Sequence, residues 1–79
     1  MSESISADQE VDASGLNCPL PILRAKKALT ALESGKVLKV ISTDPGSRRD
    51  FEAFSRQTGH ELVKFEETGK TWEFFLKRK

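Results

Sequence analysis

The chain contains one cysteine, and it stands in the segment Cys18-Pro19-Leu20-Pro21, with Arg24 and Lys27 following one to two helical turns later. These residue types in this order suit nucleophilic sulfur chemistry. Pro19 and Pro21 both fit the first turn of a helix, where their missing N–H groups break no hydrogen bond. The spacing therefore predicts a helix that opens at the cysteine, with Cys18 as N-cap, Pro19 at N1 and Pro21 at N3. An N-cap side chain normally accepts from the N–H of N2 or N3. With proline at N3, the Leu20 N–H is the local donor left for a thiolate, or for a sulfur attached to it. The helix dipole places about half a positive charge at this end, and Arg24 and Lys27 add to the field. Such surroundings lower a thiol pKa from about 8.5 to roughly 3.5–7.5. The alternative is a structural cysteine, a small hydrophobe that happens to cap a helix. Leu20 and Leu23 lie off the apolar stripe of this helix, on the side of Arg24 and Lys27. There they either dock a partner or pack beneath the turn.

The elements that must position this segment follow from periodicity. Residues 1–8 show none and read as a flexible N-terminal tail, leaving residues 9–79 as a single domain. Gln9 to Ala13 alternates polar and apolar and suits a short strand. Ser14-Gly15-Leu16-Asn17 is a turn. From Pro19 to Ser34, Ile22, Ala25, Ala28, Leu29 and Leu32 fall on one helical stripe, which Gly35 stops. Val37 to Ser42, rich in β-branched residues, reads as a strand, and Thr43-Asp44-Pro45-Gly46 as a turn. Ser47-Arg48-Arg49-Asp50 resembles a capping box with Ser47 as N-cap. The helix it opens buries Phe51 and Phe54 and ends near Gly59. Glu61 to Glu66 and Thr71 to Lys77 read as strands of a hairpin turning through Thr68-Gly69-Lys70. The order is βαβαββ, a two-layer α/β domain in which the right-handed crossover rule puts both helices on one sheet face. The other face is expected to be mostly solvated, with Phe75 lying on it.

Composition narrows the function classes. A chain of 79 residues has room for one core, which excludes a cleft between domains or a large cofactor fold. One cysteine and one histidine cannot form a disulfide or a four-ligand zinc site. No apolar run approaches the roughly 20 residues that span a bilayer, and the polar, acidic start lacks the features of a secretory signal. A cytoplasmic protein with a reduced thiol is expected, without cofactor or metal and with no membrane partner. The net charge of +1 makes no global case for nucleic acid, but its distribution is uneven. Residues 1–17 carry four acids and no base, whereas residues 18–49 carry seven bases against two acids. The basic excess begins at the cysteine.

Asp12, Gly15-Leu16-Asn17-Cys18-Pro19-Leu20-Pro21, Lys26-Lys27, Thr43-Asp44-Pro45-Gly46, Gly59-His60 and a closing hairpin with Trp72 together resemble the TusA/SirA-like sulfur-carrier family over about residues 10–77. The resemblance implies a βαβαββ sandwich with a mixed four-stranded sheet. It also implies that Cys18 accepts sulfane sulfur as a persulfide and hands it on; Pro19, Leu20, Pro21, Leu23, Arg24 and Lys27 are then expected, from their places in the helix, to stabilise that sulfur or face a partner. Implied donors are a cysteine desulfurase or a rhodanese-like protein. Implied destinations are acceptor proteins leading to thiolated tRNA, molybdenum-cofactor enzymes or sulfur oxidation. The tRNA-thiolation member carries an acid between the two prolines, where Leu20 stands here. With no second cysteine the chain cannot resolve its own persulfide, so transfer must pass between proteins. The chain itself is expected to be a monomer.

Two other readings use the same residues. Arg24, Lys26, Lys27, Arg48 and Arg49 could serve an RNA-binding module, although no stacking row of aromatics accompanies them and direct nucleic-acid binding is not expected. A regulatory interaction protein with an incidental thiol is the second. Of the lesser residues, Asp12 and Asp44 could neighbour the cysteine loop or bind a partner, with Asp44 before Pro45 read first as a turn residue; His60 is read as a strand cap or surface residue ahead of a general acid–base, and Trp72 as core.

Overall fold

Every predicted strand and helix forms, with differences confined to the ends. The computed structural model describes residues 7–17 and 19–79. Strand β1 spans Gln9–Ala13, helix α1 Leu20–Ala31, β2 Val37–Ser42, α2 Ser47–Thr58, β3 Glu61–Thr68 and β4 Thr71–Lys77. The sheet order is β1-β2-β4-β3. β1 runs parallel to β2, as a crossover through α1 requires, while β2–β4 and β3–β4 are antiparallel. The sheet is thus mixed, with both helices packed on one face.

Period-two alternation sorts the strand residues between the faces. Leu38, Val40 and Ser42 of β2 and Phe74 and Leu76 of β4 are fully buried under the helices. α1 contributes Ala25 and Leu29 to this core, with Ile22, Ala28 and Leu32 packed at its margin as the stripe predicts. α2 contributes Phe51 and Phe54; Phe51 stacks on Phe74 with ring centroids 4.5 Å apart. Trp72 packs against the same cluster. Burying one such aromatic is worth roughly 1.5–3 kcal/mol, so a few rings anchor both helices to the sheet.

Phe75 does lie on the opposite face, but it is not solvated there: it is only 7% exposed. Lys39 and Lys64, its register neighbours on β2 and β3, carry their ammonium groups 5.8 and 5.7 Å from its ring centroid. The lysine stems cover the ring while their charged ends stay in water. Lys39 also pairs with Glu73 at 3.5 Å.

Three local expectations fail. α1 stops at Ala31 rather than Ser34, because Leu32 turns to an extended backbone from which it still packs on the core. Gly35 then redirects the chain with φ +88°, its N–H donating to the Arg78 carbonyl. At α2, Gly46 rather than Ser47 is the N-cap, and no side chain caps the helix. Ser47 points inward instead, 1% exposed, with its hydroxyl 2.6 Å from that of buried Ser42. A buried hydroxyl facing an apolar core needs a partner, and the pairing across the β2–α2 connection supplies one. The third failure is the start of α1, described with the site. The tail expectation for residues 1–6 lies outside the described residues, whereas Asp8 extends the β1–β2 ladder, donating its N–H to the Val37 carbonyl and accepting the Val37 N–H at its carboxylate.

Candidate functional site

The cysteine segment emerges where the parallel strands β1 and β2 end, and the connections that follow them are stitched together there. β1 delivers the chain into the Ser14–Asn17 turn. Asp12 opens that turn by accepting the Ser14 N–H at 3.0 Å, and hydrogen bonding by the Ser14 side chain and backbone holds its carboxyl below the usual aspartate range. Gly15, at φ +80°, adopts a conformation that disfavours a Cβ. Its N–H donates to the Thr43 hydroxyl at 2.9 Å, tying the β1–α1 connection to the β2–α2 connection. Leu16 anchors the turn from within, packing on the core. On the β2 side, Ser42 Oγ accepts the Asp44 N–H and Asp44 Oδ1 accepts the Gly46 N–H, so Asp44 serves its turn.

Cys18 itself lies outside the described residues. Its chain neighbours Asn17 and Pro19 are both exposed. The predicted cap assignment shifts by one residue: Pro19 occupies the N-cap of α1, Leu20 follows at N1 and Pro21 at N2. The Leu20 N–H, expected to face the sulfur, donates to the Asn17 carbonyl at 2.8 Å. The two prolines leave Leu20 as the one N–H donor between them, and closing the turn onto the helix consumes it. Pro21 is buried, which pins this first turn to the domain.

The remaining predicted residues share the outer face of α1. Leu20 and Leu23 are the exposed large hydrophobics of the described residues, at 45% and 53%. They do not pack beneath the turn. Arg24 and Lys27, one turn beyond each leucine, are exposed and make no ion pair among the described residues. Together with Val11, Ala28 and Ala31 they line a cavity of about 510 Å³ between α1 and the sheet edge. Of the other bases considered, Arg48 is committed to Glu52 at 3.6 Å and lies over the Phe65 ring. His60 stands at the far end of the sheet, its Nδ1 accepting the Lys79 N–H at 3.0 Å. Burial, then the charges of Arg78 and Lys79, lower its pKa. It takes no part in the cysteine site.

Sequence reasoning missed the Gly15–Thr43 bond and the groove residues Val11, Ala28 and Ala31. The bond joins connections 28 residues apart and the groove forms only once α1 packs beside β1; only the Thr43-Asp44-Pro45-Gly46 turn signal pointed toward that region. Among the described residues no three of His, Asp and Glu gather as a metal cluster, and no helix is long and apolar enough to cross a membrane.

Known proteins resemble this chain in sequence and in fold. The family model described as Sulfurtransferase TusA matches residues 9–78. The sulfur carrier protein TusA of Allochromatium vinosum is 63% identical over 71 residues, covering 90% of this chain and 93% of that protein. TusA of Pseudomonas aeruginosa is 42% identical over 74 residues, 94% of each chain. Among solved structures, a SirA-like protein from Desulfitobacterium hafniense superposes with a TM-score of 0.78 at 31% identity, covering 87% of this chain and 95% of that one.

Proposed function

The chain belongs to the TusA family of sulfur carriers, and on that premise we propose that Cys18 carries sulfane sulfur as a persulfide between two protein partners. In the first step the Cys18 thiolate attacks the outer sulfur of a donor persulfide. A new S–S bond forms on Cys18 as the donor's S–S bond breaks, and the donor sulfur leaves as thiolate. In the second step an acceptor thiolate attacks the same outer sulfur and Cys18 leaves as thiolate. Each step exchanges one S–S bond for another, so no external oxidant or reductant is needed. Thiolate fraction, leaving-group pKa and access govern such exchanges.

The observation that supports this reading best is the pairing of exposed leucines with the cysteine segment. Leu20 and Leu23 stand in water beside exposed Pro19, an arrangement that wastes apolar area unless a partner covers it. The positive end of α1, with Arg24 and Lys27 on its outer face, favours the anionic sulfur. A cysteine desulfurase or a rhodanese-like protein fits as donor. Leu20, where the tRNA-thiolation member has an acid, disfavours an acceptor that reads that acid and favours one presenting an apolar surface.

Intact-protein mass spectrometry after incubation with a cysteine desulfurase and free cysteine tests the proposal. A gain of one sulfur atom, reversed by reductant and absent in Cys18→Ser, is the expected result. If neither a desulfurase nor a rhodanese loads the protein while its thiol remains titratable, the carrier reading fails.

A further inference from the structure

The sheet has two edges, and they are built differently. β3 carries a register irregularity between Leu62 and Lys64 and presents Lys64 beside it, devices that discourage another strand from pairing. β1, Gln9-Glu10-Val11-Asp12-Ala13, has no lysine and no proline. It pairs with β2 through five consecutive register positions without irregularity and, among the described residues, has no neighbour on its other side. Along this open edge runs the groove between α1 and β1. Val11, Ala28 and Ala31 supply its apolar lining and Arg24 and Lys27 its charge. Ala28 and Ala31 put only methyl groups on that flank of α1. Glu10 and Asp12 alternate with Val11 and therefore face the opposite side of the sheet.

We infer that β1 is a strand-addition edge for an extended segment of a partner protein with a two-sided pattern. Residues of that segment facing α1 are apolar and acidic, filling the groove and meeting Arg24 and Lys27. Those facing the other side are basic or neutral, meeting Glu10 and Asp12. Main-chain hydrogen bonds supply the affinity of such an addition, and alternate side chains its specificity. A second copy of this chain is a poor occupant. Antiparallel pairing of two β1 strands about Val11 sets Glu10 opposite Asp12 twice, and like charges directly opposite destabilise a sheet. The inference does not rest on sulfur carriage by Cys18. It does place the bound segment beside the strand that runs directly into the Ser14–Asn17 turn, so a partner held there is anchored next to the cysteine segment.

The test titrates the isotopically labelled full chain with a synthetic peptide of about six residues, an ordinary strand length. It alternates Glu and Val on one face with Lys and Thr on the other. Amide shifts and slowed hydrogen exchange confined to β1 and the groove are expected. The same peptide N-methylated at alternate residues keeps every side chain but loses one row of donors, and is expected not to bind. Arg24→Glu with Lys27→Glu, both surface changes, is expected to weaken binding by about tenfold or more. Equal binding of the methylated peptide, unchanged affinity of the charge-reversed protein, shifts centred on β3 or on Leu20 and Leu23, or no response at millimolar peptide would each overturn the inference. So would concentration-dependent protection of β1 in the protein alone, which would make a second copy the occupant.

Discussion

Replacing Ser47 separates two accounts of how α2 begins. As an exposed N-cap, Ser47 would tolerate aspartate, since Asp and Ser cap helices about equally well. As observed, Ser47 is 1% exposed and its hydroxyl is 2.6 Å from Ser42 Oγ, so aspartate would bury a carboxylate among apolar neighbours. Ser47→Ala removes one partner of a buried pair, and Ser42 keeps only the Asp44 N–H. A lost buried hydrogen bond of this kind costs about 1–3 kcal/mol. With a midpoint of about 2 kcal/mol, and about 4–8 °C per kcal/mol for a domain of this size, Tm falls by about 8–16 °C. The total stability of a 79-residue chain is on the order of 4–12 kcal/mol, so the variant still folds and can be measured. Ser47→Asp is expected to cost several kcal/mol more. Urea unfolding of Ser42→Ala, Ser47→Ala and the double variant closes a cycle whose coupling is expected near 1 kcal/mol. The effect also reaches the site, because Ser42 supports the turn whose Thr43 hydroxyl holds the Gly15 N–H. Faster amide exchange at Gly15 in Ser47→Ala is therefore expected. A stable Ser47→Asp protein, or single costs that add to within about 0.3 kcal/mol, would refute the buried-pair account.

Three further outcomes follow from the same geometry. Leu20→Glu with Leu23→Glu is expected to leave the urea midpoint within about 0.5 kcal/mol, since both leucines are exposed, while slowing sulfur loading at least tenfold; unchanged loading rates in a mass-spectrometric time course would remove the leucines from the docking face. His60 has a folded-state pKa below its ordinary 6.5, so folding favours the neutral ring. Its contribution to stability is complete above about pH 6.5 and declines as pH falls from there through the folded value, as the unfolded chain takes up the proton first. Unfolding midpoints from about pH 8 to about pH 5 are expected to show that decline in the native protein and to lack it in His60→Gln. Gly59→Ala is expected to lose about 1–2 kcal/mol, because Gly59 closes α2 at φ +86°, a conformation that penalises a Cβ; an unchanged urea midpoint would contradict that.

Much of this fold is legible in local pattern. The predicted bounds of β1, β2 and β4 match the observed strands, and Ala25, Leu29, Phe51 and Phe54 sit inward as helical spacing requires. The left-handed stop of α2 is legible at Gly59. The family itself is readable from Cys18 through Pro21 and the turn at Thr43–Gly46, because those residues have particular backbone and chemical uses. The helix starts were less legible. Whether a serine caps a helix or enters the core depends on what stands opposite it, and Ser42 is opposite only after β2 and α2 have packed. Likewise, the Leu20 N–H has one obvious use in the isolated segment and another once the Asn17 carbonyl turns toward it.

The sequence by itself determines the lone cysteine, its proline setting, the segregation of basic residues after it and the order of six elements, since all of these are properties of neighbours along the chain. Tertiary structure alone decides the sheet order and register, the bond from Gly15 to Thr43, the lysine cover over Phe75 and the groove in which Val11 meets Arg24 and Lys27. Each of these joins residues far apart in the chain. Their meeting is set by which apolar faces bury against one another, a global minimum that no local spacing encodes.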